Sequence, residues 1–131
     1  MLSASASMIA IRAKKSTGGG GSDVIPDAVN WTDVSQNVPP YSVDTNSQTI
    51  SGINTTIELD ITFDINDGTF YYIKNTDDPV SFDLPFTVVN GDTLKFRFQG
   101  SGGMVQFNVY NNSDPSGPTL LDTCLMELIM D

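Results

Sequence analysis

The sequence predicts an all-β fold: a single antiparallel β-sandwich, immunoglobulin-like or jelly-roll-like, with seven or eight strands, preceded by a flexible N-terminal arm. Three observations predict it. Apolar and polar residues alternate strictly from Ile57 to Ile65, turn residues recur at intervals of about ten residues, and no stretch keeps a helical period. Closure into a small barrel is the structural alternative.

The alternation is clearest in Ile57, Leu59, Ile61, Phe63 and Ile65, which interleave with Glu58, Asp60, Thr62 and Asp64. Successive side chains of a strand point to opposite faces, so one face enters a core and the other meets water. Asn66-Asp67-Gly68 follows, and an Asp-Gly pair suits a tight hairpin with Phe70–Lys74 as the return strand. Pro85 cannot donate to a ladder, so Val80–Val89 reads as an edge strand or as two pieces split at a bend. After the turn at Asn90-Gly91-Asp92, Leu94, Phe96 and Phe98 alternate with polar residues, as do Val105, Phe107 and Val109. With the loop 100–103 between them, these two runs read as a second hairpin. A polar turn over 111–118 leads to a last strand from Thr119 to Met130. Short strands are expected at 48–53 and around Val29-Asn30-Trp31, with Pro39-Pro40 in a long loop.

The chain of 131 residues holds one domain and a tail. Residues 16–22 offer no side chain able to build a core and have high backbone freedom, so 1–22 reads as arm and linker and 23–131 as the sandwich. Charge follows the same boundary. Arg12, Lys14 and Lys15 give the arm +3, while 23–131 sets sixteen acids against Lys74, Lys95 and Arg97, hence −13. Such a body repels phosphate backbones and has too few cations to release many counterions, which argues against nucleic acid as its partner.

A single cysteine, Cys124, excludes an internal disulfide. The basic cluster follows the short apolar stretch 8–11 instead of preceding it, so neither an export signal nor a membrane span is expected.

Catalytic chemistry finds little support. Without histidine the chain lacks the commonest general base and the commonest transition-metal ligand. Cys124 lies in an apolar run and reads as a buried structural thiol. Glu58 and Asp60 share one strand face, but it is the solvent face, where carboxylates keep a sheet soluble. Asp64 to Gly68 matches only the start of a calcium loop: an EF-hand needs an oxygen ligand where Gly68 stands, a glycine one place later, and flanking helices. An irregular calcium site drawing on Asp77, Asp78 and Asp92 is the remaining alternative. No catalytic residue, cofactor or metal ligand is assigned. Trp31, Tyr41, Tyr71 and Tyr72 are the aromatic side chains that a carbohydrate- or receptor-binding module would use, against the reading that they pack in the core and at its rim.

The C-terminal strand is unusual because Leu121, Leu125 and Ile129 are apolar on the face opposite Leu120, Cys124, Met126, Leu128 and Met130. A strand of this kind is covered on both sides, by its own chain or by another subunit. In the arm, Met8, Ile9 and Ile11 could add a strand to a neighbouring sheet, with Arg12, Lys14 and Lys15 beside them.

The segments Ile25–Trp31, Gln48–Ile57 and Val89–Leu94 resemble small structural proteins of tailed-bacteriophage virions that carry an immunoglobulin-like sandwich. The resemblance spans about residues 23–131 and rests on turn and strand chemistry. It implies a non-enzymatic role in capsid decoration, neck or tail, in a virion assembled in the host cytoplasm. The implied partners are other virion proteins and further copies of the chain. Met8, Ile9, Ile11, Arg12, Lys14, Lys15, Leu121, Leu125 and Ile129 are then the candidate partner-binding residues.

Overall fold

The computed structural model describes residues 23–81 and 83–130. The arm candidates Met8, Ile9, Ile11, Arg12, Lys14 and Lys15 lie outside the described residues. Within them the protein is all-β, with strands β1 (Val34–Asn37), β2 (Ser42–Asp44), β3 (Gln48–Thr49), β4 (Ile57–Ile65), β5 (Thr69–Lys74), β6 (Phe86–Val88), β7 (Thr93–Gln99), β8 (Gly103–Asn111) and β9 (Thr119–Ile129).

Two sheets face each other. The larger has the order β1-β9-β8-β4-β6; in the smaller, β7 is central, with β5 along one side and the short strands β2 and β3 along the other. β2 and β3 act as one broken strand. Between them Thr45 is buried, donates its N–H to Phe96 O at 2.9 Å and accepts Phe96 N–H on Oγ1 at 3.0 Å, so the ladder continues through the break.

The order of crossings is that of a jelly roll. The chain passes from β1 to β2 and β3, back to β4, over to β5, stays in the smaller sheet for the return bridge of Val80 to Tyr72, and then crosses to β6, to β7 and to β8. β9 follows as a hairpin with β8 and lies between it and β1. The β1–β9 pair is parallel, which makes the larger sheet mixed where an antiparallel one was expected.

Both predicted hairpins are therefore crossovers. β4 pairs with β8 and β6 and has no free side for β5, which pairs with β7; likewise β7 and β8 lie in opposite sheets. Alternation marks which face is buried, and the same pattern serves a strand whose neighbour comes from far along the chain. The segment 29–31 is extended without joining a sheet, and the predicted strand 48–53 shortens to Gln48–Thr49. The Val80–Val89 segment divides as the proline suggested, Val80 bridging the smaller sheet and β6 edging the larger.

The core holds the inward-facing residues of both sheets. Phe70, Phe96 and Phe107 meet at its centre, with ring centroids 4.5–5.7 Å apart, the spacing at which aromatic pairs attract beyond their buried area. Trp31 sets its edge on Phe96 at 5.2 Å and donates Nε1–H to Leu94 O at 2.8 Å, so its one polar atom is satisfied in the interior.

Candidate functional site

The outer face of the larger sheet forms a grid fixed by strand register. Thr62, Asn108 and Thr123 stand in one row across β4, β8 and β9. They are linked by hydrogen bonds, Asn108 Nδ2–H to Thr62 Oγ1 at 3.2 Å and Thr123 Oγ1–H to Asn108 Oδ1 at 2.7 Å. On one side of this polar row stand Asp60, Tyr110 and Leu120; on the other, Asp64, Gln106 and Leu125, then Met104 and Glu127, with Ile129 beyond.

Apolar residues thus concentrate along β9 and the adjoining end of β8. Leu120 is 52% exposed, Ile129 40%, Met104 39% and the following Met130 68%, while Leu125 is half-buried. Carboxylates border them, with Glu58, Asp60 and Asp64 along β4 and Glu127 on β9 itself. The two ion pairs among the described residues both fall on Asp44 in the other sheet: Arg97 Nε lies 2.7 Å from one carboxylate oxygen and Lys95 Nζ 3.1 Å from the other. Those cations hold the Asp44 carboxyl below the usual range, the Arg97 hydrogen bond being the strongest cause and partial burial opposing it.

The sequence candidates divide here. Leu125 and Ile129 lie on the outer face as expected. Leu121 does not stay with them: β9 shifts register between Leu120 and Asp122, and Leu121, the extra residue of that bulge, packs against the core. Leu120 is outward in its place. Period-two counting cannot see a bulge, and past it the parity of inward and outward residues reverses. Met104 was missed because it stands near the start of a strand whose next outward residues, Gln106 and Asn108, are polar.

Among the described residues β1 is an edge strand of this sheet. Alternate residues of a parallel strand bond the same neighbour. Val38 N–H donates to Ile129 O at 2.9 Å, so Val34 and Gln36 turn their main-chain groups to β9, while Ser35 and Asn37 turn theirs outward. The strand carries no charge and no proline; Gln36 Nε2 donates to Asn37 O at 2.9 Å. The opposite edge is blunted, since β6 has three residues, follows Pro85, and has its Thr87 O taken by Lys74 Nζ at 3.2 Å.

Compared with family models, curated proteins and solved structures, the chain matches none.

The other surfaces carry less chemistry. Trp31 and Tyr72 are core residues, Tyr72 stacked on Phe86 at 4.1 Å, which leaves Tyr41 exposed on a loop and Tyr71 half-buried opposite Arg97. A shallow open depression between two turns is lined by Asn54, Thr55, Thr56, Val89 and Asn90, none of which titrates. Among the described residues no three acidic or cysteine side chains gather as metal ligands would, so Asp64, Asp67, Asp77, Asp78 and Asp92 do not form a calcium cluster. No helix among them is long and apolar enough to cross a membrane.

Proposed function

We propose that the chain is a non-enzymatic assembly subunit of a bacteriophage virion that docks on neighbouring subunits, further copies included, through the outer face of its larger sheet. The observation that carries this reading is the exposure of Leu120, Ile129 and Met104 on the solvent side of one sheet. Exposed apolar side chains on a surface otherwise rich in Asn, Thr and Asp are where a partner displaces water to greatest effect. The virion assignment itself rests on the resemblance carried by Ile25–Trp31, Gln48–Ile57 and Val89–Leu94.

The arm suits that face by composition. Met8, Ile9 and Ile11 match the apolar strip along β9, and Arg12, Lys14 and Lys15 match the carboxylates along β4 that have no cation beside them among the described residues. A donated segment gains main-chain hydrogen bonds at an uncharged edge such as β1, while side chains at alternate positions set its register.

Sedimentation velocity of the full chain tests the proposal. The full chain is expected to associate reversibly, and both deletion of residues 1–15 and the pair Leu125→Asp and Ile129→Asp are expected to yield monomers with unchanged circular dichroism. Association at wild-type strength in the double variant would overturn the assignment of this face, and a strictly monomeric full chain that also fails to enter particles would overturn the assembly role.

A further inference from the structure

We propose that Asp67 is a site of spontaneous backbone isomerisation, in which the Asp67-Gly68 pair closes to a succinimide and reopens to isoaspartate, while the Asn90-Gly91 pair, chemically the more reactive, is held inert by the fold.

The two pairs sit at exposed turns and differ in what their glycine amides do. Gly68 N–H reaches Asp67 Oδ1 at 2.9 Å, so the nucleophilic nitrogen lies against the carboxyl group it would attack. Asp67 has φ 125°, a conformation that L residues rarely adopt, and its strain is a reason for the main chain to leave this geometry. The chain is pinned on the other side, where Asn66 N–H donates to Met104 O at 3.1 Å and Asn66 Oδ1 accepts Met104 N–H at 2.9 Å.

At the second pair the amide is occupied. Gly91 N–H donates to Ile50 O at 2.7 Å, and Asn90 Oδ1 accepts Ile53 N–H at 3.3 Å. Asp92 closes the turn by donating N–H to Val89 O and accepting Val89 N–H and Asn75 Nδ2–H. Attack by Gly91 nitrogen on the Asn90 amide would break several of these bonds together.

Glycine at 68 is a requirement of the fold, which keeps the labile pair in place. A Cβ there would stand 2.7 Å from Gln99 O and 2.8 Å from the Phe98 ring, at φ 82°.

In the reaction, Gly68 nitrogen forms a bond to Asp67 Cγ, and the carboxyl hydroxyl departs as water with the amide proton. Water then adds to the ring at the Asp67 main-chain carbonyl carbon and breaks its bond to nitrogen. The chain now runs through Cγ, with an α-carboxylate left behind and no net change in composition. This chemistry needs no partner and is independent of the docking face.

The test is peptide mapping of the full chain after incubation at neutral pH, with isoaspartate read by fragmentation and by methyl transfer from S-adenosylmethionine with an isoaspartyl methyltransferase. In the folded chain isoaspartate is expected at 67 severalfold above that at 90, and in concentrated urea the order is expected to reverse. Asp67→Glu, which keeps the charge but cannot close the five-membered ring, is expected to remove the folded-state signal. Conversion of Asn90 at or above the rate of Asp67 in the folded chain, or methyl acceptance unchanged by Asp67→Glu, would overturn the proposal.

Discussion

Asp122 and Trp31 are joined at 2.6 Å, the carboxylate beside the bulge of β9 accepting the amide N–H of a residue that belongs to no strand. Two residues further on, Asp33 Oδ1 accepts Leu125 N–H at 2.9 Å. These contacts tie the segment before β1 to the last strand, and so hold the edge and the apolar strip in one frame. They also explain how an extended piece without ladder partners can bury a tryptophan: its polar main chain is satisfied by side chains.

Asp122→Ala is expected to destabilise the domain by about 1–3 kcal/mol, the usual cost of leaving a partly buried donor unsatisfied. Urea unfolding followed by Trp31 fluorescence measures it. Asp122→Asn, which keeps an oxygen acceptor, is expected to retain most of the stability.

Cys124 is buried on the inner face of β9, and its thiol is pushed up to about 12 from 9.0, chiefly by burial and then by the negative charges of Asp33 and Asp122. The protonated form is the one the fold accommodates, so its stabilisation is complete below pH 9.0 and is lost as pH rises from there through about 12. Wild-type stability is expected to fall more steeply than that of Cys124→Ala across this window, as read by the urea midpoint. At mildly alkaline pH, thiol reagents are expected to label the unfolded chain and spare the folded one.

Asp44 has the opposite sign. Its carboxyl is held below 3.8 by Arg97 first and Lys95 after it, so the stabilisation is present above 3.8 and disappears as pH falls through the lower folded value. In acid titration followed by circular dichroism, the stability of Asp44→Asn is expected to decline less than that of wild type below pH 3.8.

Period-two patterning made the inward residues legible: Ile57, Leu59, Ile61, Phe96, Phe98, Phe107 and Val109 all face the core as the alternation required. Pairing was not legible. Local turn chemistry at Asp67-Gly68 suits a hairpin and a crossover equally, and the choice was made by β8, a strand from elsewhere in the chain that occupies the side of β4. Trp31 was misplaced for a related reason, since its apolar neighbours suggested a strand while its hydrogen bonds go to Asp122 and Leu94. Of the outer face of the larger sheet, Leu125 and Ile129 were visible as apolar residues on the wrong side of a strand. Leu120 was not, because the bulge that turns it outward depends on how β9 meets Val109 and Tyr110.

The proposed docking covers the outer face of the larger sheet. Peroxide oxidation of the methionines, read by peptide mass spectrometry, tests this: Met104 lies on that face and Met126 is fully buried in the core. In concentrated, associated protein Met104 is expected to oxidise severalfold more slowly than in dilute protein, with Met126 protected in both. Equal rates for Met104 in the two states would contradict it.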